Sequence, residues 1–125
     1  GSWAIYEIQV TNNGRGSADA GTVAIGDVID TQTSLFTGDF NGLGSPFEFV
    51  DGSGSNASGL SLNFGSLGDA SDGITFRNSG GGSITPSGGF DATVASFELQ
   101  FDGAMAGAVG GAAPTFTVRY RVLVE

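Results

Sequence analysis

The sequence contains no cysteine, no histidine and no lysine, and four arginines are its only basic residues. Without cysteine it has no disulfide framework and no thiol chemistry, and without histidine it lacks the commonest acid–base group and the usual zinc ligand. These absences exclude most hydrolase triads and most transition-metal sites. The sequence also lacks an apolar run long enough to span a membrane and any signal-peptide pattern. We therefore expect a soluble, mature chain.

The charge is strongly one-sided, because 13 acidic residues against four arginines give a net charge of -9. Such a surface repels nucleic-acid phosphates and anionic lipids, which argues against nucleic-acid binding and membrane insertion. Acidity of this kind also favours solubility in salty or extracellular surroundings. We expect a secreted or cell-surface location.

The composition is typical of an all-β domain. Glycine accounts for 23 of 125 residues, yet 39% apolar content and ten phenylalanines argue against disorder. A chain of this length buries roughly two thirds of the surface that it exposes when unfolded, so it folds without disulfides or a metal. We predict a single domain over residues 1–125.

Two long segments alternate apolar and polar residues with the period of a half-buried strand. The stronger is Thr115–Val124, about 33 Å long if fully extended, and the other is Trp3–Val10. A third strand is predicted over Thr22–Ile29, with Gly26 as a bulge.

Shorter alternating segments lie between these, separated by Gly, Ser, Asn and Asp at intervals of roughly 8–14 residues, as in a sandwich or barrel. They are Phe47–Val50, Leu60–Phe64, Ile74–Phe76 and Val94–Phe101. No apolar period of 3.6 residues runs long enough for a helix. The pattern predicts an Ig-like antiparallel β-sandwich of seven or eight strands with long glycine-rich loops.

The glycine-rich segments are predicted to be turns. Gly80–Gly82 and Gly110–Gly111 are interpreted as hairpin tips, because neither precedes the Lys-Ser/Thr pair or the helix of a phosphate-binding loop. Thr11–Gly16 supplies Asn and Gly residues that tolerate the positive φ of tight turns.

Four segments together resemble the conserved-repeat surface domains called domain of unknown function eleven. They are Tyr6–Gly14, Ala18 or Ala20, Val23–Ile29 and Phe116–Val122. A branch of uncharacterised secreted bacterial proteins is similar to Phe47–Gly52 and Ile74–Gly81. The resemblance implies an Ig-like β-sandwich in a secreted or surface protein of bacteria or archaea.

The chain departs from that family in two places. Asp30 stands where the family usually has a proline, and Trp3 leads straight into the first strand where the family has an earlier apolar strand. The domain is therefore expected to lack a first strand. Gly1-Ser2 is either a cloning remnant or the point where the mature chain was cut.

Calcium is the one ligand that the residue types permit, because it binds carboxylates and carbonyls in flexible loops. The candidates are Asp27 with Asp30, Asp69 with Asp72, and Asp51. None fits an EF-hand, and aspartates in turns more often cap their own backbone. We assign no metal, cofactor or catalytic residue.

Three further groups bear on function. Glu7, Glu48 and Glu98 are predicted on outward strand faces, where solvation keeps carboxylates ordinary, so an enzyme is not expected. The aromatic side chains Trp3, Phe36, Phe40 and Phe90 either form a carbohydrate-binding surface or plug the ends of the sandwich. Arg119 and Arg121 are expected on the outward face of the last strand, where their predicted cross-strand partners are Glu7 and Glu98.

These observations favour a non-enzymatic extracellular structural module. It is either a link of a cell-surface protein or the subunit of a polymeric fibre, in which a neighbouring chain fills an unpaired strand edge. The expected partners are further copies or neighbouring domains of the same surface protein. The alternative is an adhesion module that binds glycans or calcium.

Overall fold

The computed structural model describes residues 1–124, which form nine β-strands and one short 3-10 turn at Gly54–Asn56. The strands are β1 (Ser2–Thr11), β2 (Ala24–Val28), β3 (Thr33–Phe36), β4 (Glu48–Asp51), β5 (Ile74–Arg77), β6 (Ser83–Ile84), β7 (Phe90–Asp91), β8 (Ser96–Gln100) and β9 (Thr115–Val124). Among these residues no helix is long and apolar enough to cross a membrane.

The strands form two antiparallel sheets, which confirms the predicted all-β sandwich. In the first sheet, β1 pairs with the whole of β9 from Ser2–Val124 to Thr11–Thr115. On the other side of β9, β4 pairs with its first half and β3 with its last three residues, and β7 continues the sheet beyond β3. The second sheet has the order β2-β8-β5-β6. The finer Ig-like assignment stays a prediction.

Aromatic side chains fill the space between the sheets. The ring of Phe97 lies 4.8 Å from those of both Phe47 and Tyr120, and Phe101 lies 4.8 Å from Phe116. Apolar residues from both sheets complete a single cluster that includes Leu35, Ile74, Leu99, Val118 and Val122. The strongly alternating strands β8 and β9 thus place their apolar faces against each other.

The short strands are where prediction and structure differ. The nine strands in residues 1–124 are close to the predicted seven or eight, and the two-residue β6 and β7 and the four-residue β3 are ones that no long alternating pattern marks. The predicted strand Leu60–Phe64 does not form, because its only ladder contact is an isolated bridge from Ser61 to Asp102. Gly26 pairs in regular register and is not a bulge. Glycine fits this position because a Cβ there would lie only 3.0 Å from the Phe97 carbonyl oxygen.

Both predicted hairpin tips are confirmed. Gly110 and Gly111 have φ angles of 61° and 83° and join the bridge partners Val109 and Ala112, and the loop with Gly81 joins β5 to β6. The turn after β1 works differently from the prediction, since Asn12 rather than positive φ holds it. The Asn12 side chain accepts a hydrogen bond from the Gly14 amide and donates to the carbonyl oxygens of Gly16 and Ala106.

Candidate functional site: two unpaired strand edges

Within residues 1–124, five strands have an unpaired side: β1, β4 and β7 in the first sheet and β2 and β6 in the second. β1 is the longest of these, and it pairs with β9 on one side and with no strand on the other. The hydrogen bonds at the start of β9 show which backbone groups of β1 are free. The Thr115 carbonyl accepts from Gly52 after β4, whereas the Pro114 carbonyl accepts from Asn12 after β1. Since backbone groups alternate sides along a strand, the even-numbered residues of β1 bond to β9. The odd-numbered ones direct their N–H and C=O groups to the free edge: Trp3, Ile5, Glu7, Gln9 and Thr11.

The side chains on this edge are unusually apolar for a strand exposed to solvent. Trp3, Ile5 and Tyr6 are 48%, 55% and 40% exposed. Tyr6 points inward, edge-on to the Tyr120 ring at 5.4 Å, but only its inner side is covered. Natural edge strands are usually protected by lysine, proline or a bulge, and β1 has none of these. The edge is therefore suited to pairing with another strand.

β4 forms the second edge, on the opposite side of β9. Its residues Glu48 and Val50 face β9 as partners of Arg119 and Thr117, so the backbone groups of Phe49 and Asp51 point away from the sheet. An open cleft of about 400 Å³ borders this edge. Its apolar lining consists of Leu43, Phe47, Phe49, Leu62 and Phe64.

The far wall of the cleft is the segment 60–64, whose predicted strand does not form. Its side chains do alternate, with Leu60, Leu62 and Phe64 more buried than Ser61 and Asn63. Ser61 exchanges backbone hydrogen bonds with Asp102, and Asn63 accepts one from Gly73. By the same alternation, the backbone N–H and C=O groups of Leu62 point to the opposite side of the segment, away from Asp102 and Gly73. The cleft thus lies between a strand edge at β4 and a strand-like segment whose other side, within residues 1–124, is unpaired.

Arg119 ties the two edges together across β9. Its Nε donates to Glu7 Oε2 on β1 at 2.6 Å, and its Nη1 donates to Glu48 Oε1 on β4 at 2.7 Å. The hydrogen bonds from Glu48 and Glu7 raise the pKa of the Arg119 guanidinium. The predicted pairing of an outward arginine with Glu7 is confirmed, but that with Glu98 is wrong. Glu98 lies in the second sheet between Gly26 and Thr75, and the sequence alone did not give the register that brings in Glu48.

Replacing Arg119 with glutamine is expected to lower the melting temperature at low salt, because Glu7 and Glu48 would then repel each other without a cation between them. The decrease in melting temperature should become smaller as NaCl is added, because the salt screens that repulsion. Differential scanning calorimetry of this variant, with Arg15→Gln in an exposed turn as the control, measures the effect. Equal melting temperatures for both variants at low salt would contradict the assigned role.

The five aspartates considered for calcium each bind backbone amides nearby. Asp30 accepts from Gln32, Asp51 from Gly52 and Ser58, Asp69 from Ser71, Asp72 from Gly65 and Ile74, and Asp27 from Val28. The second Asp27 oxygen also accepts a short hydrogen bond from the Tyr120 hydroxyl. Burial, and next this hydrogen bond, raise the pKa of Tyr120. Within residues 1–124 no three acidic side chains form a group that could hold a metal ion.

Two aspartates make the free energy of unfolding depend on pH in the acidic range. A hydrogen bond from the Ser71 hydroxyl lowers the pKa of Asp69 below its usual 3.8. Burial acts to raise the pKa of Asp91, but hydrogen bonds from the Thr93 hydroxyl and from the Ser87 and Thr93 amides outweigh it and lower the pKa. A depressed folded-state pKa stabilises the fold above the unfolded-state value, and that contribution is lost as the pH falls through the folded-state value.

We therefore expect the free energy of unfolding to fall as the pH is lowered from about 4.5 to about 2.5. Urea unfolding curves across that range, for the wild type and for Asp91→Asn, measure the slope. The variant should lose less stability than the wild type over the same interval. An identical slope for the two proteins would exclude Asp91 as a source of the acid sensitivity.

The four aromatic residues considered for carbohydrate binding differ in exposure. Trp3 and Phe90 are 48% and 52% exposed, Phe36 is half-buried, and Phe40 is 1% exposed. Phe36 pairs with Phe90 across β3 and β7 and meets the Trp3 ring edge-on at 5.4 Å. The Arg121 guanidinium lies 5.9, 5.2 and 5.1 Å from the rings of Trp3, Phe36 and Phe40. These rings therefore surround Arg121 on the outward face of the first sheet, where Arg121 has no ion pair within residues 1–124.

Comparisons of the chain with protein families, with curated proteins and with solved structures give no match. The proposals below therefore rest on the residues and geometry of this chain.

Proposed function

We propose that the protein is a non-enzymatic extracellular structural module, a cell-surface link or a fibre subunit, that joins copies or neighbouring domains through strand-edge contacts. The unpaired β1 edge carries this proposal. It offers five N–H and five C=O groups along a strand that is about 33 Å long. A partner strand would satisfy these groups and cover the exposed parts of Trp3, Ile5 and Tyr6.

The charge distribution supports the same function. Copies with a net charge of -9 repel one another over most of their surface. β1 carries one acidic residue, Glu7, which forms an ion pair with Arg119. The edge thus carries little acidic charge, so an acidic copy approaches it with reduced repulsion, provided that its own Glu7 is not placed directly opposite. The acidic surface and the family resemblance support a secreted or cell-surface location.

Size-exclusion chromatography over a range of concentrations, followed by negative-stain electron microscopy of the same fractions, tests the proposal. We expect filaments or other high-order assemblies both with calcium and with a chelator, because edge pairing needs no metal. A monomer at every concentration in both conditions would overturn the fibre version and leave a link within a longer surface protein. Assembly only with calcium would favour the calcium-dependent alternative.

Glycan binding is the second candidate, and the aromatic residues around Arg121 favour it. Exposed rings such as Trp3 and Phe90 bind the apolar faces of sugars, and the Arg121 guanidinium has N–H donors for their oxygens. Affinity electrophoresis in gels containing neutral or acidic polysaccharides tests this function. Retardation that Trp3→Ala abolishes and Val109→Ala preserves would support it, and equal mobility in all gels would exclude it for those polysaccharides.

A further inference from the structure

We infer that β1 of one copy pairs with the β4 edge of a second copy and covers the apolar cleft beside it, so that the chain assembles head to tail. This inference rests on the proposed function and names the surface that receives β1. Its occupant is a second copy of this chain, for reasons of topology, unpaired backbone groups and charge.

The topology places the two edges on opposite sides of one strand. β1 pairs along one side of β9 and β4 along the other. β1 and β4 are therefore two different free edges, on opposite sides of β9, in the part of each copy that the structure describes. A contact between unlike edges leaves one free edge on each copy, so it repeats without closing and gives a filament.

The β4 edge also has groups and space for an incoming strand. Phe49 and Asp51 point their backbone groups away from β9, next to a cleft of about 400 Å³. Leu62 on the far wall makes no backbone hydrogen bond within residues 1–124, and its apolar side chain is half-buried. In a parallel pairing, where residues that bond across the edge are offset by one position, the inward residues of β1, such as Tyr6, would lie over the apolar lining of this cleft. The incoming strand would also cover the open side of segment 60–64.

The charges at the two edges match this contact. Each edge strand carries one glutamate on its outward face, Glu7 on β1 and Glu48 on β4, and both form ion pairs with Arg119. The Asp51 carboxylate at the end of β4 is turned back onto the amides of Gly52 and Ser58. Neither edge therefore brings an unpartnered carboxylate into the contact, although the protein has 13 acidic residues.

The symmetric alternative, β1 against β1 of a second copy, fits less well. Its free groups belong to the odd-numbered residues from Trp3 to Thr11, so the antiparallel pairing with the greatest overlap is centred on Glu7. That register places two glutamates directly opposite each other, which is unfavourable. It also sets the exposed apolar end of β1, at Trp3, against the polar end at Thr11.

Disulfide mapping tests the arrangement directly, because the natural sequence has no cysteine. The variants are Ile5→Cys and Gln9→Cys on the outward face of β1 and Val50→Cys on the outward face of β4. Each β1 variant is mixed with the β4 variant under mild oxidation and examined on a non-reducing gel. Val109→Cys, 78% exposed on a hairpin tip, replaces the β1 variant in the control mixture.

The inference predicts a covalent dimer from at least one β1–β4 mixture, absent from the control mixture and from either variant alone. If Ile5→Cys or Gln9→Cys alone forms dimers and no dimer is specific to the mixtures, the symmetric β1–β1 contact would replace the β1–β4 contact. Sedimentation of the same samples separates the two proposals. Assemblies without a β1–β4 crosslink overturn this inference alone, whereas the absence of assemblies overturns the fibre function together with it.

Discussion

Replacing Phe97 with alanine is expected to lower the free energy of unfolding by about 3–5 kcal/mol. Phe97 is 2% exposed and its ring lies 4.8 Å from those of Tyr120, in the other sheet, and Phe47, which immediately precedes β4 of that sheet. The substitution removes a large buried side chain and leaves a cavity at the centre of the sandwich. The neighbouring rings are fixed by their own strands or loops, so the cavity should collapse only in part.

Phe90→Ala is the matched control, because Phe90 is 52% exposed and lies on the outside of the sandwich. Urea unfolding of the two variants and the wild type is followed by tryptophan fluorescence from Trp3 and by circular dichroism. It gives the loss in free energy of unfolding for each variant. The Phe97 variant should lose at least ~2 kcal/mol more than the Phe90 variant. Similar losses for both would contradict the assignment of Phe97 to the core.

Replacing Gln9 with proline is expected to abolish assembly while the monomer remains folded. The Gln9 N–H points to the free edge, so proline removes a donor from the proposed contact without breaking a hydrogen bond to β9. Its ring also projects towards the incoming strand. Analytical ultracentrifugation of the variant should give a single monomer species under conditions in which the wild type assembles.

Gln9→Ala is the matched control, since it removes the same side chain and keeps the N–H, and it should assemble like the wild type. Circular dichroism checks that both variants are folded. Ile5→Lys, with Ile5→Val as its control, tests the same edge through its side chain, because an edge lysine opposes strand pairing. Wild-type assembly by both Gln9→Pro and Ile5→Lys would show that β1 is not the contact.

The long strands could be predicted from the sequence because their pattern is long and local. Thr115–Val124 alternates over ten residues, and the structure assigns β9 to those same residues. β1 begins at Ser2 and ends at Thr11, one residue beyond the prediction at each end. Strands such as β6 have two residues and form only because a hairpin brings them beside a longer strand, so local pattern does not reveal them.

The candidate site could be predicted only in its parts. The pattern of β1 gives its two faces, but whether it is an edge depends on which distant strands pair with β9. Segment 60–64 shows the same limit, because its alternation is real and yet its pairing within residues 1–124 is confined to one bridge, from Ser61 to Asp102. The capping role of the aspartates was foreseeable, because aspartate in a glycine- and serine-rich turn accepts hydrogen bonds from amides close in sequence.

The ion pairs depend on register in the same way. Glu7 and Arg119 are 112 residues apart, and Glu48 reaches the same guanidinium from a third strand. Glu98 has the same charge and a similar strand position, but it belongs to the other sheet. Sequence pattern places all three glutamates on outward faces and does not say which of them share a sheet with Arg119.

Residue-resolved amide hydrogen exchange of β1, measured on the dissociated and the assembled protein, tests the central claim most directly. In the monomer, the amides of Trp3, Ile5, Glu7, Gln9 and Thr11 should exchange rapidly, whereas Ala4, Tyr6, Ile8 and Val10 should be protected by β9. On assembly the odd-numbered amides should become protected and the even-numbered ones should change little. Odd-numbered amides that still exchange rapidly within assemblies would contradict strand pairing at β1.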